Sequence, residues 1–198
     1  ERINKSGRAA MVRSALSTAR PLFRFGRMEA FFVSTLAVTI GEIGDKTQLL
    51  AFILATRFRK AVPIVLGILV ATLANHAIAG LAGNWIREML EPETLRWGLG
   101  ASFLGIAAWA IKPDELDEDD AACRMGTYGV FMCSLVAFFL AEIGDKTQLA
   151  TVALAARYES LAAVVGGTTL GMLCANAPVV FLADKAAKKI PFKLVRYA

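Results

Sequence analysis

The stretch that decides the fold is Glu42-Ile43-Gly44-Asp45-Lys46-Thr47-Gln48-Leu49, which recurs unchanged as Glu142-Ile143-Gly144-Asp145-Lys146-Thr147-Gln148-Leu149. Eight consecutive identities at an offset of 100 residues are beyond chance, so the chain carries an internal duplication. The likeness runs on through Ala55-Thr56-Arg57-Phe58 against Ala155-Ala156-Arg157-Tyr158. In the next apolar run Leu73-Ala74-Asn75 pairs with Cys174-Ala175-Asn176 at an offset of 101, a slip of one residue.

The motif is charged, yet its surroundings are not. Ala30 to Ile40 supplies eleven uncharged residues before it, and seven apolar residues follow Gln48. The 198-residue chain is 56% hydrophobic and 20% charged, with a mean hydropathy of +0.52, which excludes disorder and is too apolar for an ordinary soluble domain. A helix needs about 20 mostly apolar residues to cross a bilayer. Five such segments can be read: Glu29 to Thr56, Ala61 to Ile86, Trp97 to Ile111, Thr127 to Ala156 and Ser160 to Ala183. No β-barrel alternation is present, so helices must satisfy the backbone in lipid. The expected fold is an all-α integral membrane protein. Cys123, Cys133 and Cys174 lack metal-ligand spacing and read as small hydrophobes in a reducing compartment. Basic residues flank the apolar runs and form no stripe with aromatics, so no nucleic-acid partner is expected.

Three spans per copy is an odd number, so the second copy enters the bilayer in the opposite direction. The expectation is two inverted three-helix repeats with a shared site at the midplane, as in many secondary transporters. Repeat one occupies residues 28–112 and repeat two residues 127–198, with an acidic linker at 113–126 and a basic extension at 1–27 outside the fold. The partner of the third span should begin near Arg196, so a sixth helix of roughly 20 residues is expected beyond Ala198. With the extension set aside, Arg57, Arg59, Lys60, Lys112, Arg124, Lys185, Lys188, Lys189, Lys193 and Arg196 share one side, against Arg87, Arg96 and Arg157 on the other. Positive-inside places the ten, and the acidic linker, in the cytosol.

An ionised group at mid-bilayer costs ~2.5–3.5 kcal/mol on insertion scales, so Glu42, Asp45, Lys46 and Glu142, Asp145, Lys146 must face a polar interior. On a continuous helix Glu42, Asp45 and Gln48 would share one face, and Glu142, Asp145 and Gln148 likewise. The expected metal ligands are Glu42, Asp45, Gln48, Asn75, Glu142, Asp145, Gln148 and Asn176. This all-oxygen set suits hard cations such as Mn²⁺, Ca²⁺ or Mg²⁺, and carboxylates that hold a metal can hold protons instead. Gly41 and Gly44 allow close helix approach or a loosened helix. Lys46 and Lys146 carry the wrong charge for ligands and read as counter-ions or a gate, although Glu42 and Lys46 could form an intrahelical pair. His76, the only histidine, faces Ala177 in the slipped pairing and reads as a satisfied packing residue. Gly167-x-x-x-Gly171 reads as close helix packing. The Asp114 to Asp120 run lacks an EF-hand's spacing and reads as a solvated linker.

The duplicated E-x-G-D-[KR]-[ST] signature, Glu42 to Thr47 and Glu142 to Thr147, resembles the GDT-type cation/proton exchangers. That family includes Golgi manganese and calcium transporters and bacterial manganese exporters. The similarity covers Met28 to Tyr197 and implies six helices, an acidic central loop, and export of Mn²⁺ or Ca²⁺ in exchange for protons. It further implies that Glu42, Asp45, Lys46, Thr47, Glu142, Asp145, Lys146 and Thr147 line the cation path, serving in proton coupling or gating. The chain departs from the pattern in its basic extension and the absent last helix. Compact size and short loops resemble bacterial members, which implies the inner membrane.

The resulting expectation is an exporter of a divalent cation, foremost Mn²⁺, whose carboxylates alternate between metal and proton while the two repeats rock around them. Metal and protons are cargo, no resident cofactor is expected, the lipid bilayer is the surrounding partner, and a homo-oligomer is compatible with this reading. Two rivals are an exporter of amino acids or organic cations and a membrane-embedded enzyme. The second lacks any cofactor motif or nucleophile elbow, so no enzyme is expected.

Overall fold

The structure is a computed structural model, and it describes residues 26–110 and 129–189. The acidic linker, most of the basic extension and residues 190–198 lie outside the described residues. The described residues form seven helices and no strand: α1 (residues 26–42), α2 (Lys46–Phe58), α3 (Ala61–Met89), α4 (Pro92–Ala110), α5 (Gly129–Glu142), α6 (Lys146–Arg157) and α7 (Leu161–Lys189). Over their described residues and inside their ends all five expected spans are helical, apart from breaks at residues 43–45 and 143–145. The third is longer than Trp97 to Ile111, because Pro92 and Glu93 suit a helical first turn.

The first and fourth spans are corrected: neither is a continuous helix. Each is cut inside the repeated motif, between α1 and α2 and between α5 and α6. Gly44 and Gly144 take φ of +80° and +76°, which a residue with a Cβ adopts only at a cost. Asp45 and Asp145 are then extended, at ψ of 164° and 160°, and serve as N-caps of α2 and α6. The amides freed by the cut find partners three residues past each cap. Gln48 Oε1 accepts from Gly44 N at 3.0 Å, and Gln148 Oε1 accepts from Gly144 N at 2.8 Å. Asp-x-x-Gln thus behaves as a variant of the capping box, with the glutamine reaching back to the chain before the cap. The shared helical face expected for Glu42, Asp45 and Gln48 does not exist, because Asp45 is not helical.

α3 and α7 are the described helices long and apolar enough to cross a bilayer alone. At 29 residues each they run about 44 Å, more than the ~30 Å hydrocarbon layer. Each lies against the short helix of the opposite copy. Gly67 on α3 faces Phe131 and Ser134 on α5, and Gly167 on α7 faces Phe31 and Ser34 on α1, the same contact at an offset of 100. Farther along, Gly171 meets Thr35 and Val38, and Asn75 Nδ2 donates to Phe139 O at 3.0 Å, so α7 runs in the direction of α1 and α3 in that of α5. Gly167-x-x-x-Gly171 is therefore a packing seam within the chain. A Cβ at Gly67 would sit 2.8 Å from Phe131 O, and one at Gly171 would sit 2.6 Å from Thr35 O.

Polarity is distributed oppositely to that of a soluble protein. Phe32, Leu36 and Ile40 on α1 point outward, whereas Glu42, at 0% exposure, is among the most buried residues. Leu50, Leu54, Ile64, Ile68, Phe138 and Met172 fill the interior between the copies. Cys133, read from sequence as an apolar thiol in a reducing compartment, is instead disulfide-bonded, while Cys174 is free and exposed.

Gly167→Leu should overpack the α1–α7 seam and lower stability by about 1–3 kcal/mol or more, visible as a lower unfolding temperature in detergent. Gly98→Ala on α4, where a new Cβ meets nothing, should hold or raise that temperature. Gly44→Val should cost roughly 1–2 kcal/mol from its positive φ, and an unchanged unfolding temperature would argue that the cut in the first span is not fixed.

Candidate functional site

The two cuts bring the repeated motifs face to face. Glu42 and Glu142 are the last residues of α1 and α5, and Asp45 and Asp145 precede α2 and α6. All four are at least 96% buried, as are Thr47 and Thr147. A carboxylate at an N-cap lies where the helix dipole favours negative charge, while one at a C-terminus lies where the dipole opposes it. The aspartates are thus well placed as anions, and the glutamates sit where a cation is favoured.

Each lysine serves the other copy's aspartate. Lys146 Nζ lies 2.5 Å from Asp45 Oδ1, and Lys46 Nζ lies 3.7 Å from Asp145 Oδ1. This replaces the intrahelical Glu42–Lys46 pair that the spacing allowed. The cut swings Lys46 to the first position of α2 and away from the end of α1.

One carboxylate oxygen each from Glu42, Asp45 and Asp145 lie within 4.8 Å of one another. Glu142 stands beside that trio without joining it. Thr47 Oγ1 donates to Glu42 Oε2, so that glutamate is held by its own motif. Glu142 Oε1 accepts instead from Thr72 Oγ1 on α3 at 2.8 Å. The remaining oxygens, Glu42 Oε1 and Glu142 Oε2, receive no hydrogen bond. Thr147 turns to its own cap, with N and Oγ1 at 3.2 and 3.1 Å from Asp145 Oδ2. Summing four carboxylates and two ammonium groups leaves a formal charge of −2.

The amide side chains divide. Gln48 and Gln148 spend their oxygens closing the cuts, and Gln48 Nε2 also ties α2 to α7 through Ala175 O at 3.1 Å. Asn75 reaches the α5 backbone at Phe139. Asn176 is fully buried and donates to Met172 O and Sδ, at 3.1 and 2.9 Å, which leaves its Oδ1 without a donor. His76 is also fully buried, but neither ring nitrogen has a hydrogen-bond partner, so it is not the satisfied histidine expected. Sequence reasoning did not single out Thr72. It lies outside the duplicated motif, and only its position three residues before Asn75 on the same apolar helix could have flagged it.

No solved structure matches the chain. The family model for the divalent cation/proton antiporter GDT1 matches residues 30–118 and 130–198. A Vibrio cholerae serotype O1 protein named "Putative manganese exporter" is 48% identical over 170 residues, covering 85% of this chain and 84% of that one. A GDT1-like protein of Synechocystis sp. is 29% identical over 82% of this chain and 88% of its own length. A GDT1-like protein 4 of Oryza sativa subsp. indica is 27% identical over 78% of this chain and 63% of its own length. With both copies of the motif inside the matched residues, the chain belongs to the GDT1 family of divalent cation/proton antiporters.

Proposed function

We propose that the chain exports Mn²⁺ from the cytosol in exchange for protons, through a pocket built by Glu42, Asp45, Glu142 and Asp145 from two inverted repeats. The observation that carries this reading is the trio of buried carboxylates with oxygens within 4.8 Å of one another. Oxygen donors suit a hard divalent cation, and no cysteine or histidine belongs to the trio. The residual −2 is balanced either by one divalent ion or by two protons, the condition for exchanging one against the other. The name of the Vibrio relative favours Mn²⁺ over Ca²⁺ as cargo.

Within this reading the two glutamates are the exchanging groups. Each has one oxygen held by a threonine and one that receives no hydrogen bond. Lys46 and Lys146 hold the aspartates and brace the copies against each other. The parallel courses of α3 with α5 and α7 with α1 support the inverted arrangement, with repeats at 28–112 and 127–198. The ten-to-three bias of basic residues supports a bacterial inner-membrane protein with its acidic 113–126 linker in the cytosol.

Vesicles reconstituted with the protein should accumulate Mn²⁺ when their interior is acid, since proton efflux then drives metal entry, and a protonophore should abolish this uptake. Glu42→Gln and Glu142→Gln should each abolish exchange; normal Mn²⁺ flux in both would defeat the mechanism. Lys146→Met should cost about 3–5 kcal/mol by leaving Asp45 buried without its partner, and Lys146→Met with Asp45→Asn should recover most of that stability, but not transport.

A further inference from the structure

α3 and α7 begin at an offset of 100, Ala61 and Leu161, and both run on as helix past positions 76 and 176, with Pro178 inside α7 only after that point. Gly67 and Gly167, each set against a Phe and a Ser of the opposite copy, keep the same offset. The slip of one residue suggested by the two asparagines is therefore absent, and His76, not Asn75, occupies the place of Asn176. Both are completely buried. In one copy the place presents Asn176 Oδ1, a lone-pair donor that receives no hydrogen bond. In the other it presents an imidazole whose two nitrogens are equally without partners. A buried polar group left unsatisfied forfeits stability, and His76 does so twice.

Its location gives the reason. His76 follows Thr72 by four residues, so the two lie on one face of α3, with Cβ atoms about 5–6 Å apart. The Thr72 hydroxyl holds Glu142 Oε1, and Glu142 Oε2 receives no hydrogen bond. His76 and Glu142 are thus both neighbours of Thr72, one along α3 and the other across to α5, inside a protein that transports divalent cations.

We infer that His76 supplies a nitrogen ligand to the transported cation beside Glu142, and that this nitrogen favours a first-row transition metal over Ca²⁺ and Mg²⁺. Imidazole is a common ligand for transition metals, whereas Ca²⁺ and Mg²⁺ take oxygen almost exclusively. Asn176 is the oxygen counterpart in the other copy, its amide turned by Met172 so that the oxygen stays available. The inference rests on the exchange reading above and adds the selectivity of the same pocket.

The chain holds one histidine, so in full-length protein without a polyhistidine tag any imidazole coupling to a bound metal comes from His76. Purified protein loaded with Mn²⁺ should show ¹⁴N modulation in its electron spin echo, changing to the ¹⁵N pattern when histidine is ¹⁵N-labelled. His76→Asn, which copies the residue of the other half, should lose the modulation and lower the preference for Mn²⁺ over Ca²⁺ about tenfold. Bound Mn²⁺ without nitrogen modulation, alongside normal exchange in vesicles, overturns the ligand assignment and leaves the transport reading intact. Failure of the wild-type protein to bind Mn²⁺ removes both. The labelling experiment needs no variant, so the assignment stays open to refutation even if His76→Asn misfolds.

Discussion

Charge buried in an apolar layer must be answered by charge of the other sign, and here neither copy can answer its own. Asp45 finds Lys146 and Asp145 finds Lys46, each across the boundary between copies. The opposite copy, presenting the same motif, holds the complementary charge at the required place. The helix cuts follow from the same need. A straight helix would set Glu42, Asp45 and Lys46 side by side at i, i+3 and i+4, whereas the cut turns Lys46 to the other copy's aspartate and puts the positive end of α2 at Asp45.

Identical octapeptides nonetheless build two unequal halves. Thr47 holds Glu42, while Thr147 holds Asp145 and leaves Glu142 to Thr72 of α3. The lysine contacts differ by 1.2 Å, from 2.5 Å in one pair to 3.7 Å in the other. The inequality originates outside the motif. Position 72 is threonine and its equivalent at 172 is methionine, so only one glutamate can be gripped by the neighbouring long helix. The pocket is duplicated in its charges and unique in its neutral partners.

Much of this was legible in the sequence. The repeat, the five helical segments and the gathering of ionisable groups follow from identity, hydropathy and the cost of charge in lipid. Of the cuts the sequence shows only that Gly41 and Gly44 permit a loosened helix, because hydropathy reads straight through a break whose flanks are equally apolar. The signal was nevertheless present: Asp45-x-x-Gln48 ahead of an apolar run is a helix start, and Gly44 directly before it supplies the turn. Pairing Asn75 with Asn176 put like residue with like and shifted the register by one. The matching starts of α3 and α7 and the equivalent contacts of Gly67 and Gly167 set the offset at 100, and that register aligns an asparagine with a histidine. Thr72 was out of reach, since a lone threonine in an apolar helix carries no periodic mark of what it faces.

The glycine seams also decide what a half-length chain could do. Gly67 clasps α3 to α5 and Gly167 clasps α7 to α1, so these close contacts join helices from different copies. A polypeptide holding a single copy would leave its seam open to lipid and its lysine without a mate. It could persist only by embracing a second molecule of itself. Fusing two such molecules end to end makes that embrace permanent, and it frees each half to mutate alone, which is how a threonine and a methionine come to stand at one and the same place.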